Sequence, residues 1–332
     1  MTKDQRVSES VPRRGLFQGR LVQLRSLGSE YRSLVLELDG SAGRCFARAR
    51  AGQFVQLACR DIKETRCPTP LLRRPFSIAG IHTDIEPALP TNRTLEPSAN
   101  RIYLEIILRE LGPGTNWLTS RRVAAPEQPD TNIDIMGPLG NGFTLPADPQ
   151  DRVILLGGGV GLPPIFFLAD QLARAGFRNV IAIAGLRTAS HLLDSINTGH
   201  YRSDRPLKPQ MVLQQFVRCG TPCIIATDDA SCGFAGSVVE AMEQFLNENN
   251  DWDQATLCAC GPAAMLKATA AAAKRRNIHC QVCMEAYMAC GIGVCQSCAV
   301  EIRKTENDDP SDRTYKLVCA NGPVFDADSI AW

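Results

Sequence analysis

The sequence predicts a multidomain β plus α/β protein of three successive units: an N-terminal antiparallel β-barrel, a parallel-sheet α/β domain, and a small cysteine-rich unit at the C-terminal end. Three observations predict it. Short alternating segments separated by turn residues run from Gly15 to about Phe143. From Arg152 the pattern changes to continuous apolar runs separated by helical stretches. After about Asn277 four cysteines, Cys290, Cys295, Cys298 and Cys319, fall at a spacing that neither pattern explains. The expected boundaries are 1–14 for a polar, disordered tail, 15–148 for the barrel, 149–276 for the α/β domain and 277–332 for the last unit.

In the first unit the segments Gln18–Leu24, Tyr31–Leu38, Gln53–Ala58, Phe76–Ile81 and Ile102–Leu108 alternate with the two-residue period of a half-buried strand. Many short strands at this spacing suggest a barrel. The Pro-, Asn- and Thr-rich stretch from His82 to Arg101 reads as a long exposed loop. In the second unit Val153–Leu156, Val180–Ala184, Ile224–Ala226 and Thr256–Ala259 are apolar throughout, as strands covered on both faces are. Helical periodicity over Ile165–Ala175, Val238–Asn247 and Ala263–Arg276 supplies the covering layers.

Composition excludes several classes. A chain of 332 residues with 44% hydrophobic and 21% charged residues is ordinary for a globular protein. A net charge of +1 gives no electrostatic reason to bind nucleic acid or an anionic membrane. The longest apolar run, Val153 to Ala169, is short for a bilayer span and is broken by glycines and by Pro163 and Pro164. The first residues lack the apolar core of an export signal, so the expected compartment is the reducing cytoplasm. The fourteen cysteines are then free thiols or metal ligands rather than a disulfide framework.

Cys290, Cys295 and Cys298 have the spacing C-x4-C-x2-C, and Cys319 follows after twenty intervening residues. Plant-type [2Fe-2S] clusters use this spacing, with four thiolates on two irons. Gly291 and Gly293 relieve crowding in the loop. The alternatives are a zinc site, which favours paired C-x2-C or histidine ligands, and plain buried thiols. Cys280 and Cys283 also form a C-x2-C pair, although Gln281 and Val282 between them read as strand.

Leu155-Leu-Gly157-Gly158-Gly159-Val-Gly161-Leu-Pro-Pro164 runs a buried strand into a glycine turn and a helix start, where exposed N–H groups and the helix dipole suit a pyrophosphate. Cys260-Gly261-Pro262 ends a later buried strand and would face the same crevice, so the two together point to a nicotinamide dinucleotide on a Rossmann-like sheet. Arg187, at the end of the second strand of that sheet, could meet a 2′-phosphate or stand as a solvated turn residue; we expect NAD. Singly, Arg74-Pro75-Phe76-Ser77, Gly112-Pro-Gly114-Thr115 and Gly137-Pro-Leu-Gly-Asn-Gly142 are only turns and strand starts.

Taken in order, these motifs resemble the ferredoxin reductase superfamily, whose flavin barrel carries R-P-x-S and whose nucleotide domain carries G-G-G-x-G and C-G-P. Within it the chain is similar to the electron-transfer subunits of dihydroorotate dehydrogenase B. The closer likeness rests on Arg74-Pro-Phe-Ser77 with Ile107-Leu108-Arg109 and Gly114-Thr115. It rests also on Ala226-Thr-Asp-Asp-Ala-Ser231 with Gly233 and Gly236, and on Met284-Glu285 before Met288-Ala-Cys290-Gly-Ile-Gly. The chain departs from the family in the polar tail, in the length of 82–101 and 188–214, in Leu108 where tyrosine is common, and in Ala230 where the family has glycine.

The resemblance implies FAD in the barrel, at Arg74, Pro75, Phe76, Ser77, Ile107, Leu108, Arg109, Gly114 and Thr115. It implies NAD near Gly157, Gly158, Gly159, Gly161, Cys260, Gly261 and Pro262, and a [2Fe-2S] cluster on the four cysteines. It further implies a catalytic partner that holds FMN and oxidises dihydroorotate in pyrimidine biosynthesis, in a heterotetramer of two subunits each. No general base is expected in this chain. Its role would be to pass single electrons from the cluster to FAD and a hydride from FAD to NAD+. The alternative is the flavin and [2Fe-2S] subunit of a sulfide dehydrogenase, a ferredoxin:NADP oxidoreductase or a hydrogenase gamma-like reductase.

Overall fold

A computed structural model describes residues 13–60, 71–84, 101–121, 123, 132–191, 201–304 and 313–332. Most of the expected tail 1–14, most of the loop 82–101 and part of the segment 188–214 lie outside the described residues.

The first sheet is antiparallel and is built from β1 (Gly15–Ser26), β2 (Tyr31–Leu38), β3 (Phe54–Leu57), β4 (Arg74–Ser77), β5 (Gly80–His82), β6 (Ile102–Arg109) and β7 (Asn132–Leu139). Its order is β4-β3-β7-β1-β2-β6-β5. The two edge strands are halves of one segment. Phe76–Ile81 reads as a single strand in the sequence, but the ladder changes partner inside it. Ile78 donates to the Gln53 carbonyl on one side, and Ala79 donates to the Glu105 carbonyl on the other. The segment 74–82 therefore links the two edge strands and bends the antiparallel sheet into a half-barrel, an open form of the expected barrel. Leu36, Leu104, Ile106, Ile133 and Ile135 are fully buried in its core. A short helix, α1 (Gly40–Phe46), which the sequence does not signal, packs Phe46 against Phe17 of β1 with ring centroids 5.9 Å apart. A second, α2 (Pro113–Thr119), follows β6.

The second sheet contains β8 (Val153–Gly158), β9 (Val180–Leu186), β10 (Cys223–Thr227), β11 (Phe234–Ala235) and β12 (Thr256–Cys260), all parallel. The expected helices are present as α3 (Leu162–Arg174), α5 (Val238–Glu248) and α6 (Ala263–Arg276), and a short α4 (Gln214–Val217) precedes β10. Every residue of β8 and β10 is buried, as their apolar runs require, and the one polar side chain, Thr227, exchanges hydrogen bonds with the Cys232 backbone. Ser237 and Glu240 form a reciprocal capping box that starts α5.

The sheet continues across residue 277. β13 (Cys280–Cys283) adds in parallel to β12, and β16 (Val324–Asp326) adds antiparallel to β13. Between them β14 (Ala299–Arg303) and β15 (Arg313–Leu317) form a separate antiparallel pair.

Side-chain amides tie these parts together. Gln171 of α3 accepts from Ala51 N–H at 2.9 Å and donates to the Ala49 carbonyl at 3.0 Å. Gln281 of β13 accepts from Thr144 N–H at 2.9 Å and donates to its carbonyl at 2.8 Å. Asn141 donates to the Val324 carbonyl at 2.8 Å and accepts from its N–H at 2.9 Å. A primary amide carries one donor side and one acceptor side, so it pairs with a strand as another peptide would. Replacing Asn141 by Ala leaves the buried Val324 groups unpaired. We expect N141A to lose about 1–3 kcal/mol of stability, read as a lower urea midpoint at unchanged slope.

Candidate cofactor sites

The motifs converge on two adjoining cavities. The first, of about 250 Å³, is lined by Pro75, Phe76 and Ser77 of β4, Ile107, Leu108 and Arg109 of β6, Gly161, Cys260 and Gly261, and the segment Cys283–Ala286 with Met288. Residues predicted for a flavin thus share one cavity with residues predicted for a nicotinamide. The two nucleotide motifs touch directly: a Cβ on Gly161 would clash with the Cys260 carbonyl, so only glycine permits this approach. Cys260 and Cys283 stand opposite each other in the β12–β13 ladder. The Cys283 thiol and burial together push the Cys260 thiol well above its ordinary range, so it is neutral at neutral pH. Cys280, three residues from Cys283 along an extended strand, points to the opposite face. The C-x2-C pair is therefore not a ligand pair.

Arg74, Gly114 and Thr115 line neither this cavity nor the second one, but Arg74 and Gly114 come together next to its β4 wall, since a Cβ on Gly114 would lie 3.5 Å from Arg74 Cγ. The Thr115 hydroxyl is engaged locally: it accepts from Leu111 and Gly112 N–H and donates to the Gly112 carbonyl, each at 3.0 Å. What Thr115 offers a ligand is backbone at the start of α2. Arg109 Nε donates to Glu30 at 2.5 Å, and this bond holds the Glu30 carboxyl below its usual range. The neighbouring Arg73 is tied to Asp134 at 2.8 Å.

The second cavity, of about 440 Å³, is lined by Gly158, Gly159, Val160, Gly185, Arg187, Pro262 and Met265, with Tyr31, Arg109 and Asp228. Gly157 lines neither cavity and packs on Leu162 of α3. Asp228 belongs to the Thr-Asp-Asp motif, and Ala230 beside it has φ 59°, in the left-handed region where the family's glycine is free of strain.

The four cysteines gather on the loop 290–298 and the turn at 319. The β14–β15 pair aligns Ala299 with Leu317, and the next step of the hairpin, Val318 N–H to the Cys298 carbonyl at 3.0 Å, brings Cys298 beside Cys319. The cysteines lie in two neighbouring pairs: Cys295 N–H donates to Cys290 Sγ at 3.4 Å, and the hairpin sets Cys298 beside Cys319. Among the described residues no group of three or more Cys, His, Asp or Glu surrounds a single ion. Two pairs fit a two-iron cluster, which takes two thiolates per iron, better than a zinc ion, which takes four ligands on one centre. Cys298 and Cys319 are buried, and burial pushes Cys319 up to about 12. Cys295 is exposed, and hydrogen bonds from Ser297 hold it down to about 6.

Sequence reasoning found the cavity walls at β4, β6 and the two glycine motifs. It assigned no role to Phe54 or Met265 and weighed Cys283 only as half of a C-x2-C pair. Asp228 and the Met284-Glu285 pair left a signal only as parts of motifs.

The fold is shared with ferredoxin reductases. The solved structure of an NADH-dependent reduced ferredoxin-NADP oxidoreductase aligns with a TM-score of 0.67 at 22% identity, over 95% of this chain and 90% of that one. Residues 285–331 match the family model of the iron–sulfur cluster binding domain of dihydroorotate dehydrogenase B. The dihydroorotate dehydrogenase B (NAD(+)) electron transfer subunit of Geobacillus thermodenitrificans is 34% identical over 84% of this chain and 86% of its own. That of Desulforamulus reducens is 30% identical over 85% and 86%. The chain belongs to the dihydroorotate dehydrogenase B electron-transfer subunit family.

In the metal-free chain, alkylation of Cys295 should rise with pH through about 6, since the thiolate is the reactive form. Ser297→Ala removes the first donor and should move this midpoint upward, measured by rate of iodoacetamide labelling against pH.

Proposed function

We propose that this chain is the electron-transfer half of an NAD-dependent dihydroorotate dehydrogenase acting in UMP biosynthesis. When bound, the cluster supplies one-electron transfer from partner FMN, FAD supplies conversion between single electrons and hydride, and NAD+ accepts the hydride. The observation that carries the reading is the 250 Å³ cavity, where β4, β6, the glycine turn and Cys260-Gly261 meet the segment that runs on into Cys290.

The chain's own residues position and exclude. Arg74 and the backbone at Gly114–Thr115 would hold phosphate, and Ser77 would bond the flavin ring from the cavity wall. Gly161 and Gly261 keep the opposite wall flat, so that a nicotinamide can approach the ring. Cys260, kept neutral, places no charge beside the transferred hydride. Gly158, Gly159 and Pro262 would hold the dinucleotide, with the Gly157 backbone behind them. Arg109, fixed by Glu30, borders both cavities.

The partner's docking face is the surface around the cysteine loop. Tyr287, Ile292 and Val294 are exposed there, and Leu71 and Leu72, also exposed, share a surface hollow with Ala289 and Cys290. Exposed apolar side chains clustered in this way mark an interaction surface. The proposed occupant is an FMN-bearing catalytic subunit, two copies of each chain forming the assembly. Among the described residues no helix is long and apolar enough to cross a membrane.

The complex purified with its catalytic partner should contain about one FAD and two irons per copy of this chain and reduce NAD+ with dihydroorotate. Cys298→Ser should abolish that reaction while NADH–dye reduction through the flavin persists. Bound zinc without flavin, or NAD(P)+ reduction driven by a ferredoxin or sulfide-linked partner instead, would overturn the assignment.

A further inference from the structure

Gln56 of β3 is fully buried, yet neither Oε1 nor Nε2 has a hydrogen-bond partner among the described residues. The other carboxamides at the junctions are used at both ends. Gln53 accepts from Arg50 N–H and donates to the Gly140 carbonyl, each at 2.8 Å, and Gln171, Gln281 and Asn141 behave likewise. A buried amide is normally satisfied, so an orphan one calls for a partner. The position of Gln56 says what that partner is. In register on its strand it stands opposite Pro75 of the flavin-strand motif. Its side chain runs against the cysteine loop: a Cβ on Gly291 would lie 2.5 Å from Gln56 Nε2 and 2.9 Å from its Cγ. Gly291 directly follows Cys290, the half-buried member of the more exposed thiol pair.

We propose that Gln56 is a positioning residue for the iron–sulfur cluster, donating from Nε2 to the sulfur shell at Cys290 and setting the cluster's reduction potential. The proposal rests on the reading of the four cysteines as cluster ligands. Thiolate and sulfide sulfurs only accept hydrogen bonds, so the amide must present its N–H end, which is the end turned to Gly291. A donor onto sulfur draws charge from the iron centre and favours the reduced form, which raises the potential. A carboxamide does this without adding net charge between the cysteine loop and the flavin strand. The donor comes from the barrel, so the barrel that would bind flavin also tunes the centre that would reduce it.

The test uses the complex with its catalytic partner. Gln56→Leu removes the donor at similar volume, and Gln56→Glu replaces it with an acceptor-only carboxylate. Redox titration followed by EPR should place the cluster midpoint of Q56L below wild type, with altered g-values and an unchanged flavin midpoint. Q56E should fall further. A pulsed-EPR coupling to an exchangeable proton in wild type should vanish in Q56L, a readout that does not require turnover. A packing role alone predicts that Q56L is as stable as wild type or more so, with its cluster midpoint and g-values unmoved; that result overturns the proposal. Absence of a two-iron, acid-labile-sulfide centre in the wild-type complex would instead remove the reading of the cysteines, and this proposal with it.

Discussion

The arrangement depends on carboxamide side chains standing in for missing strand neighbours. Three units meet here, and each would otherwise leave backbone groups buried and unpaired at the seams. Gln171 satisfies the 49–51 turn of the barrel from α3. Gln281 satisfies Thr144 from β13, and Asn141 satisfies Val324 from the end of the barrel. Each amide makes at least one donor and one acceptor bond in a partly buried seam, where leaving a buried partner unpaired costs more than the bond itself contributes. The seams fix the register between units. The cavity at their meeting point inherits that register.

Charge is managed by the same geometry. The cavity wall holds the neutral Cys260 thiol, the Glu285 side chain and one arginine paired with Glu30. The four cysteines differ among themselves. Cys319 is buried where burial opposes a thiolate, while Cys295 is exposed and stabilised as thiolate by Ser297. A bound metal would invert the preference at Cys319, because its positive charge deprotonates a coordinating thiol outright. Cys295 instead lies on the loop that exposes Ile292 and Val294, with Tyr287 exposed just before it.

Local periodicity made the strands and helices legible. β2 and β6 are buried over most of their length instead of strictly alternating, β8 is apolar throughout, β10 is apolar up to Thr227, and the helices begin and end close to where their patterns do. Partner choice was not legible. The break in 74–82 depends on Ile78 and Ala79 finding carbonyls of Gln53 and Glu105, which no local pattern records. β13 reads as strand from its own residues, but its place beside β12 follows from tertiary packing. The site shows the same division. Glycine motifs announce themselves because φ and close approach leave few alternatives. Cys283 reaches its cavity only through register, so its residue type carries no signal, and Asp228 is legible only as part of a motif whose place in the second cavity the fold supplies.

Gly291 shows how a sequence reading can be right about a residue and incomplete about its cause. A glycine between two closely spaced cysteines reads as relief of crowding within the loop, and φ 70° supports that. The structure adds a second constraint from 235 residues upstream in the chain, because the Gln56 amide occupies the space a side chain would take. Either constraint alone would select glycine; a Cβ at 291 would meet both. The loop that gathers the cysteines is thereby shaped from outside as well as from within. The element that shapes it is β3, whose other neighbour in the ladder carries Pro75, Phe76 and Ser77. Contact between the flavin strand and the cysteine loop through one buried side chain makes the spacing of the two sites a property of core packing, which is far less deformable than a surface loop.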